Sequence, residues 1–164
     1  MNTGFANSWR FMRFMEKHRP GARAMIKGAP DYPEINGTVS FYQTRFGVLV
    51  VAEIFGLPVS KDDCKTDIYG FHIHEGVSCT GNETNPFADT GGHYNPGGCD
   101  HPNHAGDLPP LFGNDGYAWS AVLTDRFKVE DISGRTVVIH RDPDDFTTQP
   151  SGRSGEKIAC GVIK

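Results

Sequence analysis

The sequence predicts an all-β fold, with about eight short antiparallel strands forming a sandwich or barrel that carries two long irregular loops. Three observations carry this expectation. Apolar and polar residues alternate with period two through several short runs. Residues 76–115 and 141–155 lose all periodicity and fill with Gly, Pro, Asn and Asp. The composition, with 20 Gly, 11 Pro and 22% charged residues, suits a loop-rich globular chain better than a helical bundle or a disordered one. A length of 164 residues fits one domain with a proper core. The expected division is an N-terminal extension over residues 1–22 and a single domain over residues 23–164.

In the extension, Trp9, Phe11, Phe14 and Met15 predict one or two turns of amphipathic helix, with Arg10, Arg13, Lys17 and Arg19 solvated. A short helix docked on the domain or on a partner subunit is preferred over membrane-surface contact, because so few turns bury little in lipid. The same stretch lacks the apolar core and cleavage site of a secretory signal, which makes a cytoplasmic location the expectation. A net charge of −4 argues against a nucleic-acid partner, and no apolar run is long enough to span a bilayer.

"ARAMIKG" reads as the first strand. "INGTVSFYQT" alternates, with Val39, Phe41 and Gln43 on one face and Ser40 and Tyr42 on the other. "RFGVLVVAEIFGL" follows at once, so "QTRFG" predicts a tight hairpin. After the polar connection "VSKDDCKTD" comes "GFHIHEG", which places His72 and His74 on one face of a strand. The unpatterned stretch from Gly76 to Asp115 is too long for a compact domain unless it is functional and something holds it. Strands resume at "YAWSAVLT"; "FKVEDIS" leads into "GRTVVIH", and "EKIACGVIK" closes the chain. Cys64, Cys79, Cys99 and Cys160 permit two disulfides, but spacing alone does not give the pairing. Disulfides in a reducing cytosol would be unusual, so this count pulls against the expected compartment.

Six of the seven histidines sit at strand ends or in the long loop: His72, His74, His93, His101, His104 and His140. A lone histidine is usually a surface or satisfied core residue, but six with this clustering point to metal. His93, His101, His104 and Asp107 make a closed set of three imidazoles and one carboxylate, the kind that zinc takes in structural sites. His72, His74 and His140 suit a second ion with an open position, and all-imidazole ligation suits copper as well as zinc. If His93 donates through both ring nitrogens, it belongs to both sets. A purely structural sandwich needs no such convergence. A zinc hydrolase would want a base beside an open zinc, and Glu75 faces away from its neighbouring imidazoles on the strand.

The segments "GFHIHEG", "GGHYNP", "HAGDL", "GRTVVIH" and "ACGVI" occur in the order found in the copper/zinc superoxide dismutase family, and the chain resembles the bacterial form of that family from about Ala24 onward. The resemblance implies an eight-stranded Greek-key barrel, superoxide as substrate, and a homodimer as the expected assembly. It implies copper at His72, His74, His93 and His140, and zinc at His93, His101, His104 and Asp107, with His93 as the bridge. It implies disproportionation of superoxide to dioxygen and hydrogen peroxide by Cu(II)/Cu(I) cycling, with the zinc-supported His93 delivering a proton. Cys79 and Cys160 match the family's disulfide, and Asp144 matches a carboxylate that links a copper-ligand imidazole to a zinc-ligand imidazole. Two departures stand out. Lys157 occupies the place of the family's arginine beside copper, with Arg153 four residues earlier as the other candidate cation. Cys64 and Cys99 have no counterpart; they form either a second disulfide or two unpaired thiols. A metal-binding module without turnover, such as a copper store or delivery protein, is the alternative function; a degenerate family member would be expected to lose copper ligands, and all are kept here.

Overall fold

A computed structural model describes Arg13, residues 17–62, 64, 65 and 67–164. Trp9, Phe11, Phe14 and Met15, on which the amphipathic helix was expected, lie outside the described residues. Among these residues nine strands follow one another: β1 (Ala22–Gly28), β2 (Asn36–Thr44), β3 (Gly47–Phe55), β4 (Ile68–Tyr69), β5 (Phe71–His74), β6 (Leu111–Phe112), β7 (Ala118–Thr124), β8 (Thr136–His140) and β9 (Lys157–Val162). Seven form one antiparallel sheet in the order β5-β8-β9-β1-β2-β3-β7, and β4 pairs with β6 separately. No helix among the described residues is long and apolar enough to cross a membrane.

The expected hairpin closes with Thr44 opposite Gly47, leaving Arg45 and Phe46 as a two-residue turn. Gly47 has φ +127°, and a Cβ there would meet the Thr124 carbonyl at 2.3 Å, so the turn needs glycine. Alternation then sorts the side chains. Val39 and Phe41 on β2, Val48, Val50, Ala52 and Ile54 on β3, Phe71 and Ile73 on β5, and Val137 and Ile139 on β8 enter one buried cluster. That cluster also takes Ala118 from β7, at the far end of the sheet from β5. Residues at both ends of a seven-stranded sheet share one core only if the sheet curls on itself.

Part of "FKVEDIS" is not extended. Val129–Ile132 is a helical turn, α1, because the Asp131 carboxylate accepts the Lys128 main-chain N–H at 2.8 Å and caps it. The long loop is not structureless either. It contains a 3-10 turn at Ala88–Thr90 and the strand β6, and it is fastened at two levels. A disulfide joins Cys79 to Cys160 on β9, with Cys160 packed among Ala29, Phe87 and Val138. The loop main chain also pairs with the free edge of β5: Tyr94 donates to the Ile73 carbonyl at 2.8 Å, and Ile73 donates to the Gly106 carbonyl at 2.9 Å. An exposed strand edge would otherwise offer unpaired donors and acceptors. Cys64 and Cys99 are free and exposed, so the possible second disulfide is absent and the unpaired alternative holds.

Candidate metal centre

Since Phe71 and Ile73 point into the core, His72 and His74 point outward, as the period of two requires. They are nonetheless buried, at 0% and 2% exposure, because the loop folds over them. The loop's edge pairing sets its register: His93 lies opposite His74, and Asp107 lies opposite His72. His140 comes from β8, the strand next to β5, where a bulge shifts the register with β9 so that His140 faces Lys157. His101 and His104 follow in the loop.

Two donor groups result. In His72, His74, His93 and His140, one ligand atom from each residue lies within 4.8 Å of all the others, and the same holds for His93, His101, His104 and Asp107. The two groups share His93. Its Nδ1 faces the second group, 2.7 Å from Asp107 Oδ1 and 3.5 Å from His104 Nδ1. Its Nε2 is buried with no hydrogen-bond partner. His104 Nδ1 sits 3.3 Å from Asp107 Oδ1, and His101 Nδ1 lies 3.0 Å from Asp107 Oδ2 without the alignment of a hydrogen bond. In the first group, His74 Nε2 and His140 Nε2 are 3.2 Å apart, while their Nδ1 atoms face the Gly91 and Gly155 carbonyls at 3.0 and 3.3 Å. His72 Nδ1 is a third orphaned nitrogen.

Asp144 ties the groups together. Its Oδ2 lies 2.8 Å from His72 Nε2 and its Oδ1 lies 2.9 Å from His101 Nε2. Each ring therefore donates from Nε2 and keeps its lone pair on Nδ1, the atom aimed into a group. Burial raises the Asp144 carboxyl, but hydrogen bonds from His72, the Phe146 N–H and His101 outweigh it and hold the group at about 2. Asp107 is lowered in the same manner, the His93 hydrogen bond overcoming the penalty of burial. Burial pushes His140 down to about 3, and with the help of neighbouring imidazoles pushes His74 well below its usual value. Burial lowers His72 as well, against the pull of Asp144. These rings stay neutral, the state in which imidazole binds metal.

Gly152 makes the Asp144 bridge possible. Its φ is +66°, and a Cβ there would meet Asp144 Oδ1 at 2.0 Å and His101 Nε2 at 2.7 Å. Lys157 is half-buried. Its ammonium donates to Thr90 Oγ1 at 2.8 Å and to the Gly91 carbonyl at 3.0 Å, with the Phe87 carbonyl at 3.4 Å. It thereby fastens β9 to the loop at the carbonyl that also faces His74, and its charge lowers both His74 and His140. Arg153 is exposed on a left-handed turn with φ +52°. Glu75, the base a hydrolase would need, accepts the Gly92 N–H at 3.2 Å.

Two contributors were not foreseen. Gln149 grips the His101 main chain twice, accepting its N–H at 2.9 Å and donating to its carbonyl at 2.7 Å. Arg126 donates to three carbonyls of the same loop. Both act on main-chain atoms, which no residue pattern encodes.

Burying lone pairs with nothing to take them is costly, so the orphaned nitrogens and the clustered donors fit a barrel built to hold two cations that share one histidine. The profile described as copper/zinc superoxide dismutase (SODC) matches residues 35–163. The chain is 35% identical over 149 residues to a "Superoxide dismutase [Cu-Zn]" of Deinococcus radiodurans, covering 80% of this chain and 78% of that protein. Proteins of the same name from Photobacterium leiognathi and Legionella pneumophila are 32% identical over 145 residues and 34% identical over 140, covering 78% and 80% of each chain in the pair. The chain belongs to the copper/zinc superoxide dismutase family.

Proposed function

We propose that this chain disproportionates superoxide, with copper held by His72, His74, His93 and His140 and zinc held by His93, His101, His104 and Asp107. The observation that carries the reading is His93, whose Nε2 faces one donor group while its Nδ1 faces the other. The reaction takes two superoxide anions and two protons to one dioxygen and one hydrogen peroxide. Copper supplies a one-electron acceptor and donor, while zinc supplies a fixed charge without redox chemistry.

The chain's own residues do the rest. Four imidazoles and no carboxylate keep the first group receptive to an anion. Three imidazoles and Asp107 close the second group, as in a structural site. Asp144 fixes the His72 and His101 rings so that both present Nδ1. His93 is the positioned proton carrier. Held at Nδ1 beside Asp107, it takes a proton at Nε2 and hands it to the peroxide being formed. All four histidines are buried, His72 at 0%, His74 at 2%, His140 at 4% and His93 at 7% exposure, so little of the group reaches solvent.

The test is the rate of superoxide decay with the copper- and zinc-loaded protein, using metal-free protein as the control. Fast decay that requires copper is expected; no decay with both metals bound would overturn the reading.

Lys157 supplies the local positive field, since the chain as a whole carries −4 and repels an anion. All three of its donors have acceptors on the loop, so it acts through charge rather than by grasping the substrate. Lys157→Glu is expected to lower the second-order rate about tenfold at low salt and to weaken or invert its salt dependence. Lys157→Met loses the same tether without reversing the charge, and is expected to fall between. A Lys157→Glu rate and salt profile matching wild type would remove Lys157 from the mechanism.

A further inference from the structure

Arg126 follows β7 at the edge of the sheet opposite β5. Its root is rigid. Its main-chain N–H donates to Thr124 Oγ1 at 3.3 Å, and the next residue, Phe127, is buried in the main core. Its guanidinium nitrogen Nη1 then reaches across to the zinc-ligand loop. There it meets the carbonyls of Pro102 at 3.3 Å, His104 at 3.2 Å and Asp107 at 3.0 Å. Two of these three belong to residues of the second donor group. Among the described residues Arg126 forms no ion pair, so its charge is directed at main-chain oxygens alone.

The surroundings suit a strut. Arg126 lines two surface clefts, one shared with Pro102, Asp107 and Phe146 and the other with Asn95, Asn103 and Ala105. Asp107 is also paired to His72 on β5. The path from β7 through Arg126 to Asp107 and on to His72 therefore joins the two free edges of the sheet.

We propose that Arg126 is a positioning residue for the zinc half of the centre, preforming the turn His104–Asp107 by holding its carbonyls from the far edge of the barrel. The proposal rests on the zinc assignment made above. A charged donor bonds a carbonyl more strongly than a neutral one does, and arginine needs no ionisable partner to stay charged. Residues that orient metal ligands typically account for 10–100-fold in metal affinity when removed.

The experiment loads the full-length protein with copper and zinc, then follows zinc release to a chromogenic chelator for wild type, Arg126→Ala and Arg126→Lys. Copper retention and thermal stability are measured in parallel. Zinc leaving Arg126→Ala about 10–100-fold faster, with copper affinity within about twofold of wild type, is the expected result. Arg126→Lys, which keeps the charge but only a point donor, is expected to recover part of the loss, and it keeps the test open if the alanine variant does not fold. Hydrogen exchange at residues 101–107 is expected to rise in Arg126→Ala while exchange in β8 and β9 stays unchanged. Wild-type zinc release in a folded Arg126→Ala would overturn the proposal, as would equal loss of both metals with a general fall in stability. A wild-type protein that retains copper but takes up no zinc would instead overturn the zinc assignment, a result visible before any variant is made.

Discussion

Replacing His93 with alanine is expected to cut copper-dependent superoxide decay by at least about 100-fold, the lower end of what a positioned proton carrier contributes. Among the described residues no other single substitution removes a donor from both groups, since only His93 belongs to both. The change removes one nitrogen from each set and the proton-carrying Nε2 at the same time. Losing Asp144 would disturb ring orientation in His72 and His101 but leave every donor in place, so its effect is expected to be smaller. The fold should survive. The loop remains paired to β5 through Tyr94 and Gly106, and the His93 side chain lies outside the apolar core. Stopped-flow decay, with copper and zinc content measured on the same sample, checks the prediction. A variant that keeps both metals and the wild-type rate would show that His93 neither bridges nor delivers a proton.

The second large effect is on stability. Removing the Cys79–Cys160 disulfide by a double alanine substitution is expected to cost about 4–5 kcal/mol in the chain-entropy description. The sequence separation of 81 residues sets that size, because a long closed loop restricts the unfolded chain strongly. For a chain of this length the loss corresponds to a fall in Tm of roughly 10–20 °C. Calorimetry of the metal-free protein reads it without contributions from bound ions. Cys64 and Cys99 are unpaired and exposed, so a reductant acting on the wild-type chain reports the same bond. A shift of only about 3 °C or less would mean that the ladder along β5, rather than the disulfide, carries the loop.

The fold was legible wherever burial enforces a period. "ARAMIKG" shows as a short apolar run, the hairpin at Arg45 and Phe46 as two strand-like runs in quick succession, and the outward pair His72 and His74 follows from alternation. It was illegible where local hydrogen bonds decide. The helical turn in "FKVEDIS" depends on Asp131 capping Lys128, and β4 and β6 are two residues each, too short for any pattern. The two donor groups were readable because histidine is rare enough to count. Asp107 was readable from its spacing to His104, while Asp144 rested on family resemblance alone. Arg126, Gln149 and Gly152 left no trace, since their partners are main-chain atoms or the space a side chain would fill.

The bulge between β8 and β9 has a consequence of parity. Ala159 pairs with Ile139 and Lys157 pairs with His140, so Ile158 is the residue passed over, and both Ile158 and Ala159 lie in the core. On an uninterrupted strand, residues 157 and 160 are an odd number apart and face opposite ways. The lysine would then be driven in among Phe71 and Ile139 whenever the cysteine reached its partner. The passed-over residue resets the count, so one short strand shows a cation and a cross-link to the same side of the barrel. A single-residue insertion or deletion between Lys157 and Cys160 would therefore change which chemistry faces the metal centre while leaving every residue type in the chain's tail intact.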